Sequence, residues 1–312
     1  MANLPTEIIK VARPVHWVKN LALFAALIFT GHLFDGSYFL RVFWGVVIFS
    51  LATSSTYIIN DIFDAKADRL HPIKKFRPIA SGKLPLMVAW AEAVALGVAA
   101  LYLANYLNQL FLLMVAMYIG IQILYSAFLK NLAIIDILII ASGFIIRVYA
   151  GAFVIDAHLS VWFLLCVISA ALFLASGKRR AELNLLKETG VTRISLTHYK
   201  RELLNSYVTM FGNAAWLSWA LFTFFESPPA SLPVWLFLAE LSRATTISKL
   251  LMITIPVVIY GIMRYEALIF EGRAEIPEKL LLTDKSLIAS IFLWIGLVTW
   301  ILYGGVTTFA VP

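Results

Sequence analysis

Residues 41–68, RVFWGVVIFSLATSSTYIINDIFDAKAD, combine a long apolar run with a group of polar side chains at its end. About 20 apolar residues are enough to cross a bilayer, which predicts a membrane span at about 40–62. On a helix, the polar side chains that follow this run fall within an arc of roughly 100°. The stretch therefore predicts a membrane helix that ends in a polar face formed by Asn60, Asp61, Asp64 and Asp68.

The rest of the chain has the same apolar character. Hydrophobic residues make up 61% of its 312 residues and charged residues only 14%, which sets it apart from a soluble domain. The single cysteine, Cys166, excludes an intrachain disulfide. We expect an all-α, polytopic membrane helix bundle of about nine transmembrane helices in one domain, residues 1–312. The predicted spans are 20–34, 40–62, 85–106, 109–129, 132–155, 159–177, 203–225, 247–269 and 286–308.

The net charge of +7 is distributed very unevenly over the predicted connections. Almost all Lys and Arg residues fall on one side of the membrane, and only Arg41, Arg243 and Lys249 fall on the other. The positive-inside rule then places the N-terminus and the longer loops in the cytoplasm, in an integral cell-membrane protein. The charge indicates orientation and not nucleic-acid binding. These loops are expected to form a cytoplasmic cap over a central cavity, built from loops with short helices at 62–84, 178–202 and 271–285.

The carboxylates at the end of the second span suggest a metal site. Three carboxylates on one helix face repel each other and lose hydration at a membrane boundary. Mg²⁺ favours carboxylate oxygens and keeps positions open for substrate phosphates. The alternative is a solvated helix end whose charge nearby basic residues balance. We favour Asp61, Asp64 and Asp68 as Mg²⁺ ligands, with Asn60 as a further oxygen donor or an orienting group.

A basic loop follows the carboxylates directly, with the sequence RLHPIKKFRPIASG at residues 69–82. Lys74 and Arg77 are suited to contact a phosphate group that a metal binds from the other side. An ordinary positive-inside loop would explain the basic residues, but not their position directly after an aspartate face. We therefore expect a site for a phosphate-bearing substrate.

The two motifs together resemble the first signature of the UbiA superfamily of intramembrane prenyltransferases. N-D-x-x-D-x-x-x-D runs here from Asn60 to Asp68, and D-R-x-x-P-x-K-x-x-R-P-I-A-S-G runs from Asp68 to Gly82. The resemblance implies nine transmembrane helices around a cavity that opens to cytoplasm and lipid. It also implies that Asp61, Asp64 and Asp68 bind a Mg²⁺ ion that is coordinated to the diphosphate group of the substrate.

The second half of the chain departs from the usual superfamily pattern. Members with aromatic acceptors carry a second aspartate-rich motif after the sixth span, whereas this chain has SGKRRAEL at residues 176–183. Three cations at this position argue against a second metal site of the usual kind. The chain is similar instead to the decaprenyl-phosphate phosphoribosyltransferase branch. Further matches are Arg13-Pro14, Trp17-Val18-Lys19-Asn20, Tyr125-Ser126, Lys130, Asp136, Ser142-Gly143-Phe144, Arg147, Ala150-Gly151, Pro277-Glu278 and Leu281-Leu282-Thr283-Asp284-Lys285.

That branch transfers 5-phosphoribose from phosphoribosyl diphosphate to a polyprenyl phosphate and releases diphosphate. The resemblance implies the same Mg²⁺-dependent reaction here, with Asp61, Asp64 and Asn60 as catalytic residues. The donor has a diphosphate for the metal and a 5-phosphate for further cations, and the acceptor has an apolar tail that belongs in lipid. The acceptor phosphate is already charged near neutral pH, so no strong general base is needed.

Five further basic residues are candidates for substrate binding. Lys178 and Arg179 are assigned to the 5-phosphate of the donor, although topology anchoring also explains them. Lys19 and Lys130 lie at cytoplasmic ends of spans, where they bind the acceptor phosphate or reach lipid headgroups. Arg147 lies within the fifth predicted span, where an arginine needs a partner such as a carboxylate or a substrate phosphate.

Two other functions remain open from the sequence alone. A conventional prenyltransferase, which joins a prenyl diphosphate to an aromatic or other acceptor, would use the same first motif, but the basic run at 178–180 argues against it. A transporter would carry charges and helix breaks near the bilayer midplane. Here nearly all ionisable residues cluster at one membrane face, which favours an enzyme.

Overall fold

The computed structural model describes residues 4–71, 74–189, 199–226, 228, 245–271 and 283–304. Within these ranges every regular element is helical, which confirms the predicted all-α class. The α-helices are α1 (Leu4–Val11), α2 (Phe24–Phe29), α3 (Gly36–Leu70), α4 (Leu86–Leu107), α5 (Gln109–Ala127), α6 (Ile135–Val154), α7 (Val161–Thr189), α8 (Arg201–Phe225), α9 (Ile255–Phe270) and α10 (Lys285–Tyr303). The described 3₁₀ helices are Pro14–Leu23, Lys74–Phe76, Leu129–Asn131 and Thr245–Thr254.

Eight helices in the described part of the chain are long and apolar enough to cross a membrane. They are α3 to α8, the continuous stretch Lys249–Phe270 that ends in α9, and α10. Even the 19-residue α5 rises about 29 Å, close to the roughly 30 Å of apolar bilayer thickness. The chain is therefore a multi-pass integral membrane protein.

The structure differs from the sequence prediction at the first span, 20–34. The chain there forms the 3₁₀ helix Pro14–Leu23 followed by α2. This segment is not among the helices of the described chain that are long and apolar enough to cross a membrane. The apolar composition that suggested a span instead buries side chains inside the protein, among them Leu23, Ala26 and Leu27.

Two of the predicted loops begin as helix. α3 continues past residue 62 to Leu70, and α7 continues past residue 177 to Thr189. Neither extension contains Gly or Pro, so nothing in the sequence stops the helix at the membrane boundary. The helix through Asp68 agrees with the helical spacing of the aspartates, whereas the prediction of a loop with short helices was wrong for 178–189. Other residues named from the sequence, Pro72, Arg243, Pro277, Glu278, Leu281 and Leu282, lie outside the described residues.

The described chain divides into two compact units. The first contains the described residues within 1–27, 34–157 and 185–199. The second contains those within 28–33, 158–184 and 200–312. The assignment of 1–312 to one domain stays a prediction.

Small residues allow close helix packing in the first unit. Ser55 Oγ on α3 donates a hydrogen bond to the backbone carbonyl of Ala93 on α4 at 2.7 Å. A Cβ at Gly97 on α4 would lie 3.0 Å from the same hydroxyl, so the glycine lets the two helices approach. A Cβ at Gly151 on α6 would lie 2.0 Å from the carbonyl oxygen of Leu23. These approaches fix α3 and the N-terminal segment, which carry most of the candidate site.

The second unit has its own apolar core between α7 and α9. Phe173 of α7 and Tyr265 and Ile269 of α9 are buried together. A Cβ at Gly177 would lie 2.5 Å from Ile269 Cδ1, so α7 approaches α9 at the residue before its basic run. This packing fixes the helix on which residues 178–180 lie.

Candidate functional site

The polar face at the end of α3 forms as the sequence predicts, and much of it is buried. Asp61 and Asp68 are only 3% and 4% exposed, while Asn60 and Asp64 are half-buried. A buried carboxylate without a cation or a hydrogen-bond donor is costly. Each of the three aspartates has at least one basic side chain in direct contact.

Arg77 contacts two of the aspartates at once. Its Nη1 donates to Asp68 Oδ2 at 2.6 Å and to Asp61 Oδ1 at 3.1 Å. Arg77 directly follows the 3₁₀ helix Lys74–Phe76, and its backbone N–H donates to the Lys74 carbonyl at 3.0 Å. The basic loop thus folds back onto the aspartate face.

Arg13 also lies in this cluster, although it was not among the predicted site residues. Its Nη2 donates to Asp61 Oδ1 at 2.5 Å, and its guanidinium carbon lies 5.2 Å from the centre of the Tyr57 ring. Arg13 and Asp61 are 48 residues apart in the sequence, so no local motif connects them. The signal available in the sequence was the Arg13-Pro14 pair, one of the matches to the phosphoribosyltransferase branch.

Asp64 is paired through both of its carboxylate oxygens. Lys130, in the 3₁₀ helix Leu129–Asn131, forms an ion pair with Oδ1. Asn60 Nδ2 donates to Oδ2 at 3.2 Å. Ser126 of α5 orients this amide, because its Oγ donates to Asn60 Oδ1 at 3.2 Å. Asn60 therefore acts here as an orienting group for its neighbour.

The arrangement fits a divalent cation whose coordination substrate phosphates complete. Asp61 and Asp68 converge on one cationic atom, Arg77 Nη1, so the two carboxylates can share a cation. Mg²⁺ is usually bound through one or two carboxylates together with substrate phosphates. Among the residues that the structure describes, no group of three or more His, Cys, Asp or Glu is arranged to hold a metal alone. Coordination by Asp64 as a third aspartate stays a prediction.

His71 organises the basic loop. Its Nδ1 accepts a hydrogen bond from the backbone N–H of Lys74 at 3.3 Å. Burial lowers the pKa of His71, and the cation of Lys74 lowers it further. The neutral imidazole is therefore an acceptor at physiological pH, and it fixes the position of Lys74. Lys74 lies close enough to Asp68 for an electrostatic interaction.

The two lysines predicted to bind the acceptor phosphate have different surroundings. Lys130 belongs to the cluster through its ion pair with Asp64. Lys19 is half-buried in the 3₁₀ helix Pro14–Leu23. A contact of either lysine with the acceptor stays a prediction.

Arg147 is buried within α6, and its hydrogen-bond partners are neutral. It donates from Nε to Asn20 Oδ1 at 2.8 Å, from Nη1 to the Gly143 carbonyl at 2.6 Å and from Nη2 to the Tyr118 hydroxyl at 3.0 Å. In the described ranges no carboxylate forms an ion pair with it. A substrate phosphate as its partner stays a prediction. The surrounding rings, all within 5.7 Å of the guanidinium carbon, are those of Phe49, Tyr118 and Phe144.

The basic run at 178–180 lies on α7. Arg179 and Arg180 are 0% and 1% exposed, and Lys178 is half-buried. Arg179 forms an ion pair with Glu182, and Arg180 Nε donates to Asn205 Oδ1 of α8 at 2.5 Å. Lys178 is thus the most accessible cation of the three. Binding of a 5-phosphate by Lys178 and Arg179 stays a prediction.

Asp284 connects two helices of the second unit. Its Oδ1 caps α10 by accepting from the Leu287 backbone N–H at 2.8 Å. Arg264 of α9 donates to its two oxygens from Nε at 3.2 Å and from Nη2 at 2.7 Å. These hydrogen bonds, Arg264 first, hold the pKa of Asp284 below its usual value. The structure therefore gives Asp284 a structural role.

The comparison with protein families decides what the chain is. The model of the UbiA prenyltransferase family matches residues 21–251. The chain belongs to this family. The resemblance predicted from the two motifs is confirmed, and the protein is a membrane transferase.

Relatives in the UbiA family match nearly the whole chain. A decaprenyl-phosphate phosphoribosyltransferase of Mycolicibacterium smegmatis is 37% identical over 306 residues, which cover 96% of this chain and 94% of that protein. The enzyme of the same name from Mycobacterium tuberculosis is 35% identical over 302 residues, which cover 95% and 94%.

Solved structures of UbiA homologues share the fold. A UbiA homolog from Archaeoglobus fulgidus bound to GPP and Mg²⁺ superimposes with a TM-score of 0.67 at 18% identity, covering 95% of this chain and 99% of that one. A digeranylgeranylglyceryl phosphate synthase structure gives a TM-score of 0.59 at 20% identity, with coverage of 95% and 96%. At this level of identity the likeness shows the fold alone.

Proposed function

We propose that this UbiA-family protein transfers 5-phosphoribose from phosphoribosyl diphosphate to a polyprenyl phosphate and releases diphosphate. The observation that carries the proposal is the cluster in which Asp61, Asp64 and Asp68 are matched by basic side chains. Such a cluster suits a diphosphate together with a divalent cation. The donor is suggested by the two relatives named decaprenyl-phosphate phosphoribosyltransferase, at 35% and 37% identity.

Asp61 and Asp68, with Asp64 beside them, would hold Mg²⁺, which when bound supplies positive charge to the departing diphosphate. Lys74 and Arg77 add positive charge on the side of the basic loop. The hydrogen bond from Asn60 keeps the Asp64 carboxylate oriented during the reaction. The protein thus contributes mainly positioning and preorganised charge.

The bond that breaks joins the anomeric carbon of ribose to a diphosphate oxygen, and the bond that forms joins that carbon to an oxygen of the acceptor phosphate. The carbon passes through an oxocarbenium-like state, as in other glycosyl transfers. The acceptor phosphate attacks as an anion, so no side chain has to remove a proton. Attack opposite the leaving group inverts the anomeric centre. Lys19 and Lys130 are the candidates that hold the acceptor phosphate.

Lys178 and Arg179 are the candidates for the 5-phosphate of the donor. Arg179 is fully buried and forms an ion pair with Glu182. It would therefore contribute by stabilising α7 beside Lys178 and by adding positive charge near the 5-phosphate. Lys178 is half-buried and better suited to touch a ligand. This run of cations replaces the second aspartate-rich motif of members with aromatic acceptors, which supports a donor with an additional phosphate.

We also propose that the site faces the cytoplasm, on the basis of the positive-inside distribution. Since Cys166 is the only cysteine of the chain, single cysteines report topology after Cys166→Ser. Lys66→Cys, exposed on α3, should resist a membrane-impermeant thiol reagent in intact cells. Asn105→Cys, exposed near the end of α4, should react. If Lys66→Cys reacted and Asn105→Cys resisted the reagent, the orientation would be opposite to the one proposed.

Donor choice tests the proposed reaction. Purified protein is incubated with Mg²⁺, a polyprenyl phosphate and phosphoribosyl diphosphate labelled in the ribose, and the lipid is extracted into organic solvent. We expect label in the lipid phase. Label that enters lipid only from a prenyl diphosphate joined to an aromatic acceptor would keep the family and replace this reaction with conventional prenyl transfer, the alternative function.

A further inference from the structure

The contact between Arg13 and Asp61 lies at the boundary between the protein interior and open space. The Asp61 side chain is 3% exposed and the Arg13 side chain 20% exposed, and Arg13 Nη2 lies 2.5 Å from Asp61 Oδ1. The guanidinium therefore reaches a buried carboxylate from a position that a ligand can also reach.

Arg13 is held in this position by the helix that carries the aspartates. Its backbone has φ 52° and ψ 59°, a left-handed conformation that costs energy in a residue with a side chain. Ser54 of α3 fixes the chain on both sides of it. Ser54 Oγ donates to the Ala12 carbonyl at 2.9 Å and accepts from Trp17 Nε1 at 2.9 Å. These hydrogen bonds on both sides of Arg13 hold its backbone in the left-handed conformation.

Two arginine side chains contact Asp61. Its Oδ1 accepts from both Arg13 and Arg77. If Arg13 turned towards a ligand, Arg77 would still donate to Asp61 and an entering divalent cation would add positive charge, so the buried carboxylate would not be left unpaired. Arg77 is the less free of the two, because it also holds Asp68.

The charges of the cluster favour joint entry of metal and diphosphate. In direct contact, three aspartates face three cations, Arg13, Arg77 and Lys130, so their formal charges cancel. A divalent cation alone would add positive charge beside three cations. A diphosphate alone would add negative charge beside three carboxylates. Entering together they offset much of each other's charge, and a guanidinium released from a carboxylate is well shaped to bind the phosphate oxygens that remain negatively charged.

We propose that Arg13 is the counter-ion of Asp61 in the ligand-free protein and becomes a ligand of the diphosphate group when a divalent cation and diphosphate bind together. This inference rests on the part of the proposed function that places a diphosphate at the aspartate cluster. It adds a binding residue that the aspartate and basic-loop motifs do not contain.

The test measures binding of labelled inorganic diphosphate to detergent-purified full-length protein by equilibrium dialysis, with Mg²⁺ or with a chelator. In the unmodified protein we expect Mg²⁺ to strengthen diphosphate binding. Arg13→Gln should weaken the Mg²⁺-dependent binding about 10- to 100-fold, as expected for the loss of a charge-assisted hydrogen bond. The matched control is Arg41→Gln, an exposed arginine near the opposite end of α3, which should bind as the unmodified protein does.

Arg13→Lys keeps a positive charge at Asp61 and is the second variant in case Arg13→Gln does not fold. It should retain the fold and lose part of the affinity, because an ammonium group lacks the planar fork of arginine. Equal or tighter binding in a folded Arg13 variant would overturn the inference and leave the proposed function standing. No binding by the unmodified protein would instead overturn the diphosphate site itself. Because the probe carries no ribose or prenyl group, a wrong donor assignment leaves this test valid.

Discussion

Asn20 Oδ1 accepts a hydrogen bond from Arg147 Nε at 2.8 Å, and both side chains are almost completely buried. Asn20 Nδ2 in turn donates to Ser50 Oγ on α3 at 3.0 Å. The N-terminal 3₁₀ helix is thereby joined to α3 and α6 through one amide group. The contact connects residues 127 positions apart in the sequence.

Arg147→Lys should therefore destabilise the protein. The three N–H donors of a lysine share one nitrogen and cannot reproduce the planar fork from which Nε, Nη1 and Nη2 reach Asn20, Gly143 and Tyr118. Each hydrogen bond lost at a buried acceptor costs about 1–3 kcal/mol. Thermal unfolding in detergent measures the effect, and Tyr118→Phe, which removes one acceptor, should have the smaller effect. An unchanged unfolding midpoint combined with a raised KM for the donor would give Arg147 the substrate-binding role instead.

Gly151→Ala should be strongly destabilising, because the added Cβ would lie 2.0 Å from the Leu23 carbonyl oxygen. A backbone atom cannot move aside as a flexible side chain can, so we expect a cost of about 1–3 kcal/mol or more. Gly120→Ala on α5 is the matched control, since a Cβ at this position would have no atom within 4 Å beyond its own helix backbone. It should be neutral or stabilising, as alanine favours helix interiors. Equal unfolding midpoints for the two variants would contradict this close approach.

Asp284→Asn should make the stability of the folded protein less sensitive to pH in the acidic range. The pKa of Asp284 is lowered in the folded protein from a usual value of 3.8. Its stabilising contribution is therefore present above that value and is lost as the pH falls through the lowered folded pKa. Asparagine can still cap α10, but it removes the negative partner of Arg264. We expect the unmodified protein to lose stability below about pH 4 more steeply than the variant. If the stabilities of the variant and the unmodified protein fell in parallel as the pH was lowered, the stabilising role of the Asp284–Arg264 pair would be contradicted.

Lys178→Gln should raise the KM for phosphoribosyl diphosphate about tenfold or more, which is the expected effect of losing one charge-assisted hydrogen bond to the 5-phosphate. Lys200→Gln, at an exposed lysine that precedes α8, is the control and should leave the KM unchanged. Ribose 1-diphosphate, which lacks the 5-phosphate, distinguishes 5-phosphate binding by Lys178 from a role in topology or folding. With this donor the variant and the unmodified protein should behave alike, whereas a loss of equal size would assign Lys178 to topology or folding.

The sequence predicts those parts of the protein that depend on local pattern. The spans corresponding to α4, α5 and α6 follow from apolar length alone, and the face that includes Asp61 and Asp68 follows from helical spacing. Arg77 could also be predicted to lie near them, because only a short loop separates it from Asp68.

Other features depend on contacts that no local pattern encodes. Arg13 meets Asp61 only after the 3₁₀ segment packs against α3. Arg147 was expected to need an anionic partner, but an amide, a carbonyl and a hydroxyl occupy its nitrogens. The apolar segment 20–34 has the composition of a span, yet tertiary packing turns it into a 3₁₀ helix and a short α-helix.

The metal-assisted transfer at α3 can be checked by measuring ribose label in lipid and diphosphate release in the same reaction. We expect one diphosphate released for each labelled lipid formed, with both lost on chelation of Mg²⁺ and in Asp61→Asn, while the folded state of this variant persists. Transfer that continues undiminished in Asp61→Asn and in the presence of the chelator would contradict the metal-assisted diphosphate site on α3.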